Sequence, residues 1–166
     1  MYQIGEYVVY GIHGVCRILG TEKQLVDRKR AEFLVLEPIA QLGSRFYLPV
    51  QNPTALAKLK SVLTEQELEQ LLNSACYPNA CWVPEENRRK TTYREILNSA
   101  DRSNILLMLT AVYHYRDEQA AQGKKFHLCD DNFLRDAEKF LSSEISHVKG
   151  LPMQQAREYL RSRLQP

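Results

Sequence analysis

Ile4-Gly5-Glu6-Tyr7-Val8-Val9-Tyr10-Gly11-Ile12-His13-Gly14-Val15-Cys16-Arg17-Ile18 is the stretch whose reading decides the fold. Tyr7 to Tyr10 are β-branched or aromatic, as a strand prefers. The glycines on either side punctuate that strand. Outward from it, Val15 to Val26 is long enough for one bent strand or two, and Gly20 inside it marks a bulge or sharp bend. Asp27-Arg28-Lys29-Arg30 reads as a charged turn and Ala31–Ile39 as the next strand. Leu42-Gly43-Ser44 makes another turn. Arg45–Val50 is a strand that Pro49 places at an edge or near its end.

Four or five antiparallel strands in about 50 residues predict a small closed barrel of the SH3 or Tudor kind. The hydrophobic period then changes. Thr64 and Glu67 fit a capping box, with Leu68, Leu71 and Leu72 following at helical spacing. Cys76 to Pro84 breaks the pattern and reads as a hinge. From about residue 86 the chain is helical in three or four pieces, with Gly123 and Gly150 as stops and Pro152 opening the last piece. The fold class is α+β. An N-terminal antiparallel barrel spans 1–60, a connecting helix and hinge 61–84, and an all-α helical bundle 85–166.

Of the 166 residues, 25% are charged and 44% apolar, the balance of a soluble globular protein. No apolar run approaches the roughly 18 residues of a membrane span. Glu6 sits where a signal peptide would be basic, so the expected location is the cytoplasm, with Cys16, Cys76, Cys81 and Cys129 reduced. Net charge is only +2, so any nucleic-acid contact must be local or helped by a second partner. The chain has no GxSxG, P-loop, GxGxxG or HExxH. Its histidines (His13, His114, His127, His147) are scattered, and Cys76 and Cys81 have no histidine nearby. Asp117-Glu118 and Asp130-Asp131 read as helix-end and surface charges. The expectation is a protein that is not an enzyme, with no cofactor, no metal site and no small-molecule substrate.

Two constellations remain. Trp82, the single tryptophan, lies in the hinge ahead of Arg88, Arg89, Lys90 and Arg94, four positive charges within seven residues. Lys90 and Arg94 share a helix face. The cluster is either a phosphate-binding surface, with Glu85 and Glu86 counting against it, or a solvated face. The second constellation is the pair of basic and aromatic turns, Arg28-Lys29-Arg30 and Arg45-Phe46-Tyr47. Alternation puts one of Phe46 and Tyr47 in the core and leaves the other exposed.

The opening segment resembles the start of the CarD family, which includes CarD and CdnL regulators and the polymerase-interacting domain of the transcription-repair coupling factor. Its pattern is close to G-D-x-V-V-Y-P-x-H-G-V-G-x-I, with Glu6, Gly11 and Cys16 as departures here. Phe33-Leu34-Val35-Leu36 and Phe46-Tyr47-Leu48-Pro49-Val50-Gln51-Asn52 are similar to the family's Y-x-V-L and V-P-x-x-N strands. Arg88-Arg89-Lys90 through Tyr93, then Ile96 to Asp101, resembles the segment that opens its helical domain, with Ala100 where glycine is usual.

The resemblance implies a transcription regulator. Its barrel would bind the β subunit of bacterial RNA polymerase through residues among Arg28, Lys29, Arg45, Phe46 and Tyr47. An arginine carries that contact in some relatives, and Tyr47 stands at its place here, with Arg45 two residues away. The helical domain would contact promoter DNA at the upstream edge of the melted bubble through Trp82, Arg88, Arg89, Lys90 and Arg94, and so change the lifetime of the open complex. The family tryptophan sits about two residues ahead of the arginine pair. Trp82 precedes Arg88 by six positions, so it is either a displaced DNA wedge or a staple for the hinge. Two rivals stay open. One is a polymerase-binding adaptor without DNA contact. The other is an unrelated Tudor-like module whose Tyr7, Tyr10, Phe46 and Tyr47 form a ligand cage.

Overall fold

The computed structural model describes residues 2–75 and 82–165, which fall into two compact units, Met1–Val62 and Leu63–Pro166. The first unit holds β1 (Tyr7–Tyr10), β2 (Val15–Val26), β3 (Lys29–Pro38), β4 (Phe46–Pro49) and β5 (Leu59–Ser61). They form one antiparallel sheet in the order β4-β3-β2-β1-β5. A 3-10 turn, Gly11–His13, joins β1 to β2 and ends on Gly14 at φ 74°, a left-handed conformation that a side chain would strain. β2 is one strand, bent at a bulge where the register shifts between Ile18 and Gly20. A short helix, α1 (Pro53–Leu56), is capped by Asn52, whose side chain accepts from the amides of Thr54 and Ala55.

The main core cluster lies on one face of the sheet, while Val9, Val15 and Val35 are buried on the other. Val8, Cys16, Ile18, Leu34, Leu36, Leu48 and Leu59 are buried in the main cluster, and Tyr10, Phe46, Val50 and Leu56 pack against them. Burying each large aliphatic side chain contributes about 1.5–3 kcal/mol. Burial also pushes the Cys16 thiol up to about 12, which keeps it unreactive at neutral pH.

The sheet does not close into the expected barrel. β4 and β5 are its two edges, and closure would require them to pair. They are four and three residues long, separated by α1, and Pro49 and Pro53 remove amide donors where a ladder between them would start. β2 and β3, by contrast, outrun their neighbours. Their pairing runs from Cys16↔Pro38 to Val26↔Lys29, while β1 reaches only Arg17 and β4 only Phe33. Residues 23–31 therefore continue as a two-stranded ribbon. Asp27 and Arg28 turn its end, both left-handed at φ 50° and 65°.

The second unit holds α2 (Glu65–Asn73), α3 (Glu86–Ser99), α4 (Arg102–Ala121), α5 (Leu128–Lys149) and α6 (Met153–Leu164). The capping box is present, with Thr64 accepting from the Glu67 amide and Glu67 from the Thr64 amide. α2 packs on α4 and α5 as part of this unit. α5 touches all four other helices. On it Phe133, Ala137, Phe140, Leu141 and Ile145 are buried, and Val148, in line with them, is half-buried.

Three carboxylates of α5 are buried too, and each is pinned by an arginine from a different place: Asp130 by Arg89 of α3, Glu138 by Arg161 of α6, and Glu144 by Arg102 at the start of α4. Buried acids persist only when paired in this way. Asp130, read from sequence as a helix-end and surface charge, does lie in the first turn of α5 but is fully buried. No helix among the described residues is long and apolar enough to cross a membrane.

Candidate functional site

In the first unit the candidate residues fall into three places. Phe46 and Leu48 point to the core side of β4. Phe46 lies against the rings of His13 (centroids 4.1 Å) and Tyr10 (5.6 Å). Tyr47 alternates to the opposite face, opposite Val35, and is 41% exposed. Arg45 is exposed just before the strand and lines a shallow cleft of about 250 Å³ with Leu19, Gly20, Thr21, Glu22 and Val35. The loop before it is anchored by Glu37, whose carboxylate accepts from the Gly43 amide at 3.2 Å.

Arg45 and Tyr47 thus flank the outer side of an edge strand. Arg28 and Lys29 stand elsewhere, exposed at the tip of the ribbon. The four aromatics of the cage reading do not converge. Tyr10 and Phe46 pack on the core, whereas Tyr7 and Tyr47 lie on the other face.

In the second unit, Trp82 stacks on Tyr115 with ring centroids 3.8 Å apart and planes 11° from parallel. It also meets Tyr93 edge-on at 6.1 Å, and the Arg89 guanidinium lies 4.4 Å from its ring centre. Arg89 is buried. Its Nε and Nη2 donate to the two carboxylate oxygens of Asp130 at 2.8 and 3.0 Å. Its Nη1 donates to the carbonyls of Val83 and Pro84 at 3.1 and 3.3 Å. Burial opposes the Arg89 charge, but Asp130 outweighs it and the pKa is raised. Trp82, Arg89 and Asp130 together clamp the segment before α3 to α4 and α5.

The rest of the basic cluster divides around α3. Glu85 is the N-cap, accepting from the amides of Asn87 and Arg88, and these hydrogen bonds lower its pKa. Glu86 pairs with Lys90 at 2.9 Å. Arg88 and Arg94 are exposed, with no ion pair among the described residues. Arg88 and Lys90 are two positions apart, which places them about 200° apart around the axis. Arg88 therefore points away from the face that Lys90 and Arg94 share.

The sequence reading missed three residues here: Asp130 as the partner of Arg89, Tyr115 as the stacking partner of Trp82, and Glu85 as a cap. A signal for the inward direction of Arg89, though not for its partner, was present. Arg89, Tyr93 and Leu97 recur at helical spacing, which marks an inward stripe. Cys76 and Cys81, weighed above as metal ligands, lie outside the described residues.

An open sheet with short edges, followed by a helical unit, is an α+β protein that offers strand edges to a partner. Residues 2–60, the span of that sheet up to β5, match the CarD-like/TRCF RID domain, a domain that interacts with RNA polymerase. The chain carries that domain and is a transcription-related protein with RNA polymerase as its partner. No curated protein matches the chain.

Proposed function

We propose that this is a non-enzymatic regulator of bacterial transcription that works in the cytoplasm. It docks on the polymerase β subunit through the β4 edge and holds promoter DNA at the upstream edge of the transcription bubble with its helical unit, changing the lifetime of the open complex. The observation that carries the reading is the placement of Tyr47 and Arg45 on the outer side of an edge strand, inside the domain that matches. An edge strand offers main-chain hydrogen bonds to an added strand, and flanking side chains supply selectivity.

On the helical unit, Arg94, with Lys90 beside it, and Arg88 on the opposite flank are the groups available to phosphates. Arg89 and Trp82 act by holding the start of α3 in place. A ligand that prefers the melted promoter shifts the opening equilibrium by its difference in affinity for the two states.

The test is binding of the full chain to the isolated β lobe. Wild type binds. Tyr47→Ala and Arg45→Glu weaken binding about tenfold or more, as truncation of an interface anchor does. A folded wild-type chain that ignores the lobe overturns the proposal. The adaptor reading keeps one specific observation in its favour: the Trp82 ring is held by Tyr115 and Arg89. An open-complex lifetime indifferent to Arg94→Glu selects the adaptor.

A further inference from the structure

We propose that the β2–β3 ribbon is a DNA-binding arm whose tip enters the major groove of duplex DNA. The ribbon runs about 13 Å beyond the last β3–β4 rung, from Phe33 to Lys29, at the rise per residue of a strand. The major groove admits a two-stranded β-ribbon. Both faces of the tip carry the same chemistry. Leu25 lies opposite Arg30 on one face, Val26 lies opposite Lys29 on the other, and Arg28 shares the apex with Asp27. Leu25 is 71% and Val26 43% exposed, and none of the three cations has an ion pair among the described residues. A flat acidic protein surface would engage one face only. A groove has phosphates on either side and base edges at its floor, and so matches a tip that is basic and aliphatic on both.

The turn gives an independent indication. Two-residue hairpin turns of this kind favour glycine, because both central residues are left-handed. Here Arg28 occupies such a position at φ 65°. A side chain there is strained, and strained positions persist where the side chain has a use. What Arg28 adds over glycine is a long cation at the outermost point of the arm. From Lys23 to Glu32 four cations (Lys23, Arg28, Lys29, Arg30) stand against two carboxylates (Asp27, Glu32), and Glu32 lies opposite Lys23, away from the apex.

The inference does not depend on the helical unit reaching DNA, and the experiment separates the two. Full-length protein is titrated against a short fluorescein-labelled DNA duplex by anisotropy, from about 50 to about 200 mM salt. The variants are Arg28→Gly, the double change Lys29→Gln with Arg30→Gln, and Arg94→Glu. Arg28→Gly melts at or above the wild-type temperature, because the turn relaxes, yet its log–log salt slope drops by about 0.9, one phosphate's worth. The double change weakens binding further. Duplex RNA, with a deep and narrow major groove, binds less well than DNA.

Unchanged DNA binding in both tip variants overturns the proposal, whatever Arg94→Glu does. Loss of polymerase β-lobe binding with DNA binding intact would also overturn it, making the arm a protein contact. If Arg94→Glu alone fails to alter DNA binding while the tip variants do, the arm stands and the helical contact falls.

Discussion

Arg89 and Arg88 are neighbours in sequence with opposite fates. Arg89 lies on the stripe that continues through Tyr93 and Leu97, so the helix carries it inward, where Asp130 meets it. Removing one partner of a buried pair leaves the other charge uncompensated, at a cost of about 3–5 kcal/mol. Asp130→Ala and Arg89→Met are each expected to destabilise the helical unit by that order in urea denaturation, and their combination to recover part of the loss. Arg88→Ala is expected to change stability by no more than about 0.5 kcal/mol, as an exposed residue should. Trp82 fluorescence reports the same events, since its ring rests on the Arg89 guanidinium. The inward direction of Arg89 was legible from three residues at helical spacing. Its partner was not, because Asp130 lies 41 residues away and nothing local distinguishes a paired buried acid from a solvated one.

At the scale of elements, alternation along β4 separates structure from recognition. Phe46→Ala empties a place beside Tyr10 and His13 and is expected to destabilise the sheet by about 3 kcal/mol. Tyr47→Ala is expected to leave the melting temperature unchanged while weakening β-lobe binding. Strands, turns and the bulge at Gly20 could be read in advance because each follows from local chemistry. The openness of the sheet could not, since it depends on whether two short edges distant in sequence pair.

α2 supplies a pH test. Glu69 accepts hydrogen bonds from Lys149, Tyr159 and Arg163, which together lower its pKa from 4.5 to about 2. A depressed carboxylate stabilises the folded state at pH above 4.5, and that contribution is lost as pH falls toward 2. Glu69→Gln is therefore expected to be less stable than wild type at neutral pH and to flatten the acid limb of the pH–stability curve below about 4.5. Parallel acid limbs in the two proteins would show that Glu69 is not the group responsible.

For the molecule as a whole, charge sets the logic. With a net charge of +2, free affinity for DNA is expected to be weak and salt-sensitive. A module already docked on the polymerase meets the promoter at a high effective concentration, and a few phosphate contacts then suffice. The two classes of variant should accordingly fail in different ways when open-complex lifetime is followed after a competitor challenge. Tyr47→Ala weakens docking, so its lifetime effect is lost at low protein concentration and regained as concentration rises. Arg94→Glu docks normally, so its effect stays diminished however much protein is added. Were Tyr47→Ala to act fully at the lowest wild-type-effective concentration, the sheet would not be the tether, and the helical unit would be finding the promoter by itself.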